Sequence, residues 1–349
     1  MLSIKMYRIG YTKPFMAFLC IFIFIFSLKI IILDTYFENM DTTAYSVHSA
    51  NKTTKEVRYW LSTLKIDGNY VYKKHHKLPI CTLPLDLGPY NIELNVSFDY
   101  SKLQNANIPF GGHNKPDNCT ALQKIAIIIP FRNREPHLKI WLYNMHPFLQ
   151  KQQADYGIYV VEQHGNSKFN RAKLMNIGYK EAVKEYEYNC FIFSDVDIIP
   201  MDQRNLYRCS EHPKHMAHSL DKFKFRLPYE TLFGGVVAFT KEQFLQVNGF
   251  SNMFWGWGGE DDELYERVKA AGMQIKRHDY NISKAKAILH HRDVGNEQNP
   301  KSVHLIGNAS KRMHFDGLNS LKYTVISITK HRLYTMVTVD IGVPEEFIN

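Results

Sequence analysis

The 349-residue sequence lacks a recognised nucleic-acid-binding motif and an internal repeat, and it contains only five cysteines. The net charge of +9 could suggest a nucleic-acid partner, but no motif supports one, and the Lys and Arg residues are scattered among acids. Such a surface is solvated and attracts anionic partners, for example diphosphates or membrane surfaces. We therefore predict no nucleic-acid partner.

The N-terminal region lacks the small-residue cleavage pattern of a signal peptide. Basic residues within 1–13 precede an apolar span over 14–33, and Lys29 near its far end can reach an interface. The span is long enough for a hydrocarbon core of about 30 Å. A cleavable signal peptide is the alternative, but an uncleaved anchor is favoured. The charge distribution predicts a cytoplasmic tail over 1–13 and a lumenal remainder.

Residues 34–78 are polar and aperiodic, which predicts a stem, and residues 79–349 are expected to form the lumenal domain. Cys20 lies in the apolar span, so an even set of cysteines remains where disulfides persist, and three pairings are open. These are Cys81, Cys119, Cys190 and Cys209. Glycosylation sequons fit the same compartment and occur at Asn51, Asn95, Asn118, Asn281 and Asn308.

Short apolar runs alternate with helical patterns after Lys124, which predicts an α/β domain with a mainly parallel sheet. The predicted strands cover 125–129, 157–161, 190–193 and 234–239. Helices are predicted over 171–186 and, after a capping box at 240–243, up to Gly249.

Three adjacent carboxylates follow two indoles and three glycines in the segment 254–262, Phe-Trp-Gly-Trp-Gly-Gly-Glu-Asp-Asp. Trp255 and Trp257 offer apolar faces to a pyranose ring, and the glycines let the backbone approach a ligand. The run 263–271 predicts a helix, whose dipole at its N-terminus favours ionised acids and suits a general base. The alternative is a packed turn with helix-capping acids. The acids are Glu260, Asp261 and Asp262.

A second acidic site, Ser194-Asp-Val-Asp197, directly follows the strand predicted over 190–193. Open α/β sheets bind ligands at the carboxyl ends of their strands. Two carboxylates there suit a hard divalent cation that bridges a diphosphate, although a plain turn is the alternative. His290 or His291 could complete the cation's coordination, whereas a lone histidine is more often structural.

The loop Pro130-Phe-Arg-Asn-Arg134 ends the first predicted strand. Its proline, aromatic ring and two guanidinium groups suit a uracil, a ribose or phosphate oxygens. Taken alone, it would be an ordinary basic loop.

Together these motifs resemble those of the β-1,4-galactosyltransferase family, Golgi enzymes with a type II membrane topology. The resemblance covers about 81–342 and rests on segments 130–134, 169–173, 193–197, 233–235, 255–262 and 316–320. It implies a GT-A-type, Rossmann-like fold, Mn²⁺ dependence, and inverting transfer from a UDP-sugar to terminal N-acetylglucosamine. The lumenal domain over 79–349 would then be the catalytic glycosyltransferase domain, and the protein would be held in the Golgi membrane.

The resemblance also implies roles for individual residues. Asp261 matches the general base, Glu260 and Asp262 match neighbouring sugar-binding acids, and Trp257 matches a mobile-loop tryptophan that contacts donor and acceptor. Asp197 and His290 match metal ligands. The nucleotide-binding elements are matched by Pro130, Phe131, Arg132, Arg134, Phe169, Asp195 and Val196. The family's disulfides correspond to Cys81 with Cys119 and Cys190 with Cys209.

Three positions depart from the family pattern. Ala287 replaces a thioether metal ligand, so water, His291 or another group must fill that position. Ser302 and Val303 replace an Arg and a Phe of the acceptor loop, although Ile306 keeps an apolar residue for an acetamido group. Leu232 replaces a tyrosine that crowds the C2 substituent of the donor.

The smaller Leu232 leaves room for an N-acetyl group, so UDP-GalNAc is the expected donor and UDP-Gal the alternative. A purely core-packing role for Leu232 is the competing interpretation. A non-catalytic sugar-binding protein is also possible, but such a module needs neither a base nor a diphosphate-bridging cation. A metal-dependent hydrolase is disfavoured, because the sequence shows no second metal cluster.

Overall fold

The structure is a computed structural model, and it describes residues 78–96, 108–291 and 294–343. The predicted tail over 1–13, the anchor over 14–33, nearly all of the stem and the sequon at Asn51 lie outside these ranges. Within them, no helix is long and apolar enough to cross a membrane.

Eight strands of the described chain form one twisted sheet in the order β10-β11-β2-β1-β3-β7-β5-β8. These strands are β1 Lys124–Phe131, β2 Asp155–Gln163, β3 Cys190–Ser194, β5 Lys214–His215, β7 Val236–Thr240, β8 Lys276–Arg277, β10 Thr324–Lys330 and β11 Thr335–Asp340. In this sheet β7 and β10 run opposite to the other six. The predicted α/β class with a mainly parallel sheet is confirmed.

A smaller sheet of three described strands, in the order β4-β9-β6, lies beside the end of β3. It consists of β4 Ile198–Pro200, β6 Ser219–Leu220 and β9 Lys284–Ala287. The helices are α1 Glu135–Lys151, α2 Arg171–Glu185, α3 Lys241–Gln246, α4 Glu260–Ala270, α5 Ser302–Gly307 and α6 Ala309–Arg312.

Strand β1 has a helix on each of its faces because successive side chains of a strand point to opposite sides. Ile127 packs in one buried cluster with Trp141 of α1, and Ile128 packs in the other with Ile177 of α2. Helix α2 lies so close to the sheet that a Cβ on Gly178 would meet the Ile128 side chain at 2.3 Å. Two apolar layers therefore hold the carboxyl ends of the strands in place.

The strands predicted over 125–129, 157–161 and 190–193 are present, and the one predicted over 234–239 begins two residues later. Thr240 and Gln243 form the predicted capping box in front of α3, which ends at Gln246. Helix α4 begins three residues before the predicted start. Its acids therefore belong to the first helical turn.

Two disulfides join the pairs expected from the resemblance, Cys81 with Cys119 and Cys190 with Cys209. The second ties the first residue of β3 to the chain ahead of β5. Among the described sequons, Asn95, Asn118 and Asn281 are exposed and Asn308 is half-buried. Glycosylation at these positions stays a prediction.

Candidate active site

Asp195 lies just beyond the carboxyl end of β3 and belongs to a half-buried charge cluster. Its backbone N–H donates to the Gly235 carbonyl at 2.9 Å, which joins it to the loop before β7. Arg171, at the start of α2, donates through Nε to Asp195 Oδ1 at 2.6 Å and through a terminal nitrogen to Glu260 Oε1 at 3.2 Å. One half-buried cation thus links the two acidic motifs.

Asp197 faces His290 because β4 and β9 pair in an antiparallel arrangement. Ile198 lies opposite Ala287, and the Ile288 N–H donates to the Asp197 carbonyl at 2.8 Å. This register brings His290 Nε2 to 3.3 Å from Asp197 Oδ2. The structure therefore brings the two predicted metal ligands together from segments far apart in sequence.

The charges around this pair favour an ionised carboxylate. Burial acts to raise the pKa of Asp197, but the hydrogen bond from His290 and the charge of Lys222 outweigh it and lower the pKa. The pKa of Asp195 is raised, mainly by burial and against the effect of Arg171. The same Asp197 hydrogen bond raises the pKa of His290.

The pair fits a divalent cation in distance and in donor type. Two ligand atoms each about 2.1 Å from one ion and roughly at right angles are about 3 Å apart, close to the 3.3 Å observed. Ala287 is buried beside them and supplies no side-chain donor. No group of three or more His, Cys, Asp or Glu able to hold a metal occurs in the described ranges, so solvent or substrate must supply the remaining ligands.

Arg132 is held over the ring of Phe169, with its guanidinium carbon 4.9 Å from the ring centroid. It also donates to the Ser167 carbonyl at 2.7 Å and to the Gly295 carbonyl at 3.2 Å. A cavity of about 450 Å³ opens beside it at the carboxyl ends of β1 and β2. The cavity lining is Arg132, Asn133, Glu162, Gln163, His164, Gly165, Asn166, Val294 and Gly295, and so contains none of the three adjacent acids.

Pro130 and Phe131 end β1 and are buried, and Val196 is 7% exposed. Phe131 is 1% exposed and packs in the core. Its ring is therefore not available for stacking on a base, which corrects that part of the prediction. The half-buried Phe169 is better placed for such a role. His290 Nδ1 lies 2.8 Å from the His291 carbonyl, to which Arg134 also donates at 3.0 Å, so a proton on Nδ1 leaves Nε2 available to a metal.

The loop before α4 that contains Trp257, residues 254–259 (the Trp257 loop), is joined by its backbone to two other segments. The Trp257 N–H donates to the Glu297 carbonyl at 2.7 Å, and the Asn299 N–H donates back to the Trp257 carbonyl at 2.9 Å. The Gly256 N–H donates to the Phe169 carbonyl at 2.7 Å. Trp257 is 52% exposed, whereas Trp255 packs against the core. Trp257 is therefore the ring that can face a sugar.

Asp261 occupies the first turn of α4 and packs against the backbone of Gly234. A Cβ on Gly234 would meet Asp261 Oδ2 at 2.2 Å, so the close approach requires glycine. Asp261 Oδ1 accepts from the Asp262 N–H at 3.0 Å. The turn before the helix is formed by Gly259, whose φ of 96° few side chains tolerate.

Glu260 and Asp262 flank Asp261 in sequence, and each has one carboxylate oxygen without a hydrogen-bond partner among the described residues. Glu260 Oε2 and Asp262 Oδ1 are buried without a hydrogen-bond partner in the described part of the chain. Burial and the charge of Asp261 raise the pKa of Glu260 to about 7 and that of Asp262 to about 6. Buried polar atoms without partners are rare in folded proteins. These two oxygens are therefore suited to bind hydroxyl groups of a ligand.

The predicted specificity residues lie close to these acids. Ile306 of α5 lies beside Gly259, since a Cβ there would be 3.3 Å from Ile306 Cδ1. Leu232 is half-buried in the segment that leads to Gly234, and Tyr229 of the same segment donates to Asp262 Oδ2 at 3.4 Å. The predicted acceptor residues therefore lie in the first turn of α4 or next to the glycine that precedes it.

Three residues of this site were not singled out from the sequence. They are Arg171, Lys222 and Tyr229. Arg171 belongs to the segment 169–173, one of those on which the family resemblance rests, but the resemblance assigned it no role. Lys222 lies in the 3₁₀ helix Asp221–Phe223 and Tyr229 in a loop, and no motif selected either residue.

Comparisons with known proteins agree with this geometry. Residues 81–210 match the N-terminal region of glycosyl transferase group 7, and residues 214–291 match the N-terminal domain of galactosyltransferase. Mouse beta-1,4-galactosyltransferase 1 is 52% identical over 271 residues, covering 76% of this chain and 68% of the mouse protein. Its bovine counterpart is 52% identical over 263 residues, covering 75% of this chain and 65% of the bovine protein.

A solved structure is also similar. It is an aspartate-to-asparagine mutant of Drosophila beta-1,4-galactosyltransferase 7 in complex with manganese, UDP-Gal and xylobiose. It is 28% identical with a TM-score of 0.55, and the match covers 63% of this chain and 95% of the Drosophila chain. Sequence and architecture thus point to the same group of proteins.

Proposed function

The chain belongs to glycosyl transferase group 7 and is a UDP-sugar glycosyltransferase, and from that premise we propose that it is an inverting β-1,4-galactosyltransferase. The proposed reaction moves galactose from UDP-galactose to the 4-hydroxyl of a terminal N-acetylglucosamine on a glycoprotein or glycolipid. The observation that carries the proposal is Arg171, which joins Asp195, two residues before the Asp197–His290 pair, to Glu260, the neighbour of Asp261.

Asp261 is the proposed general base. It lies in the first turn of α4, and contact with Gly234 fixes its direction. It would remove the proton from the acceptor hydroxyl as that oxygen attacks the anomeric carbon. Glu260 Oε2 and Asp262 Oδ1 would bind neighbouring acceptor hydroxyls, and Ile306 would contact the acetamido group.

Asp197 and His290 are the proposed ligands of a Mn²⁺ ion, and Arg132, Arg134, Phe169 and Asp195 would hold the nucleotide. The support is the 3.3 Å approach of the two ligand atoms and the presence of manganese and UDP-Gal in the related Drosophila enzyme. When bound, the ion supplies positive charge to the leaving diphosphate. Trp257 would cover the sugar and exclude water, which limits hydrolysis of the donor.

Galactose is proposed in place of the GalNAc that Leu232 led us to expect. The named relatives are galactosyltransferases, and the related structure contains UDP-Gal. Leu232 is half-buried, and its carbonyl accepts from Arg277 at 3.0 Å. This contact fixes the backbone at position 232 and does not depend on the identity of the side chain.

The test offers UDP-Gal and UDP-GalNAc in competition to the purified protein with Mn²⁺ and a GlcNAc-terminated acceptor. We expect a galactosyl product with a β-1,4 linkage, identified by mass spectrometry and NMR. A predominant GalNAc product would reject the donor assignment but keep the enzyme class. Binding of the acceptor without Mn²⁺-dependent UDP release would instead indicate a non-catalytic sugar-binding protein.

A second prediction concerns the missing metal ligand at position 287. Replacing Ala287 with Met adds a thioether beside the Asp197–His290 pair, so Mn²⁺ affinity should increase about tenfold. Ala285→Met is the matched control, because Ala285 is equally buried on the same face of β9. Titration calorimetry or Mn²⁺ electron paramagnetic resonance measures the affinity without turnover. Equal Mn²⁺ affinity in both variants would show that position 287 does not face the ion.

We also propose a Golgi location with type II topology, supported by the apolar span over 14–33 and the basic residues before it. The catalytic domain over 79–349 would then lie in the lumen. Protease protection of that domain in intact Golgi vesicles is the expected result, and digestion without detergent would reject the topology.

A further inference from the structure

The loop 229–235 connects the donor and acceptor sides of the cleft. At one end, Tyr229 donates to Asp262 Oδ2 at 3.4 Å. At the other, the Gly235 carbonyl accepts from the Asp195 N–H at 2.9 Å. The glycine that packs against the proposed base also belongs to this loop. A small displacement of the loop would therefore move groups on both sides of the reacting centre.

Two side chains hold three alternate carbonyls of this loop. Arg277 donates to the Glu230 carbonyl at 2.9 Å and to the Leu232 carbonyl at 3.0 Å. His215 Nε2 lies 2.9 Å from the Gly234 carbonyl. The backbone on both sides of the Leu232 side chain is thereby fixed in position.

Arg277 and His215 also fix each other. They are directly opposite in the pairing of β5 with β8, and Arg277 Nε donates to His215 Nδ1 at 3.3 Å. Because Nδ1 accepts this bond, the neutral ring carries its proton on Nε2, where it is donated to the Gly234 carbonyl. Burial, with Arg277 and His218 nearby, holds the pKa of His215 well below its ordinary value.

We propose that Arg277 and His215 are positioning residues that set donor-sugar selectivity by holding the loop 229–235 against Asp261 and Asp262. The inference rests on the proposed function, since it concerns the sugar that the same cleft accepts. Neither residue touches substrate. Each acts through the loop backbone, whose position determines how much space Leu232 leaves beside the donor sugar.

The mechanism predicts which kinetic parameters change. Arg277 and His215 hold the carbonyls of residues 230, 232 and 234, which all precede the Gly235 contact with Asp195. The nucleotide elements Arg132 and Phe169 lie at the carboxyl ends of other strands. Loosening the loop should therefore leave UDP affinity nearly unchanged and alter the ratio of kcat/KM values for UDP-Gal and UDP-GalNAc. Misplacement of a positioning group by about 1 Å can reduce turnover by orders of magnitude.

The experiment compares His215→Phe, which keeps a planar ring but removes both hydrogen bonds, with His215→Gln, which keeps a donor near the Nε2 position. Arg277→Lys is the second perturbation, because a single ammonium group cannot hold two carbonyls and the imidazole together. The matched control is His146→Phe. His146 is fully buried with both ring nitrogens hydrogen-bonded, to Tyr156 and to the Leu333 carbonyl, but it lies outside the site.

We expect His215→Phe and Arg277→Lys to change the UDP-Gal to UDP-GalNAc ratio at least about tenfold, with UDP affinity within about twofold of the wild type. His215→Gln should recover most of the wild-type ratio, and His146→Phe should not alter it whatever its effect on Tm. An unchanged ratio in folded His215→Phe and Arg277→Lys proteins would overturn the inference. Failure of the wild type to transfer either sugar would instead overturn the proposed function.

Discussion

Asp261→Asn is expected to reduce kcat by about 10²- to 10⁴-fold, the usual contribution of a positioned general base. Asparagine keeps the size of the side chain and its contact with Gly234 but cannot accept the proton of the attacking hydroxyl. UDP affinity and Tm should stay close to the wild type, because asparagine has the same shape and the contacts of Asp195 with Arg171 and Gly235 remain. The measurement is transfer to a GlcNAc acceptor at saturating donor, together with UDP titration.

Glu266→Gln provides the matched control for the charge change. Glu266 lies on the same helix one turn further on, and it is half-exposed. This variant should keep wild-type kcat within about twofold. If Asp261→Asn turned over at a comparable rate, Asp261 would not be the base, and Glu260 or Asp262 would have to be considered for that role.

The largest stability loss is expected for Arg267→Met. Arg267 is 0% exposed and donates to Glu263 Oε2 at 2.7 Å and to the Asp316 carbonyl at 2.8 Å. Arg312 completes the cluster through Glu263 Oε1 at 2.6 Å. Removing one buried cation leaves a carboxylate uncompensated, which typically costs about 3–5 kcal/mol. Chemical denaturation of the purified domain measures the loss.

Lys269→Met is the control, since Lys269 is exposed on the same helix and should cost no more than about 0.5 kcal/mol. The double variant Glu263→Met with Arg267→Met removes the partners together and leaves Arg312 with Asp316. It should therefore be less destabilised than the sum of the two single changes. Additive losses would mean that the two groups do not interact, contrary to the 2.7 Å contact.

This buried cluster also gives a physical role to the segment 316–320, which the sequence identified only by resemblance. Asp316 Oδ1 accepts from the Asn252 N–H at 2.9 Å, directly before the Trp loop. Asp316 therefore holds two parts of the site: helix α4, which carries Asp261, and the segment that leads into Trp257.

The features that sequence analysis predicted are those set by neighbouring residues. The buried strands β1 and β3 are continuous apolar runs, and the Asp195–Asp197 motif follows β3 directly. The capping box at Thr240 is likewise local. Such features can be recognised in one sequence because hydrophobic patterns, turns and helix caps depend on residues only a few positions apart.

Other features depend on contacts between distant segments or interrupt the local pattern. Arg171 binds acids 24 and 89 residues away, so no spacing rule could assign its partners. Helix α1 was not predicted, and it contains Pro147, a residue that normally ends a helical pattern. Strand β10 is exposed along nearly its whole length and shows no half-buried alternation. Only the folded arrangement identifies these elements.

Strands β3 and β7 run in opposite directions, and this pairing limits which changes the strand ends beside the site can accept. Both strands are five residues long, and Ser194 pairs with Val236 at the edge that faces the substrates. At the opposite edge, the Cys190–Cys209 bond and the cap of α3 at Thr240 fix the strand ends. Lengthening either strand at the first edge would therefore displace Asp195, which directly follows β3, or Gly235, which directly precedes β7.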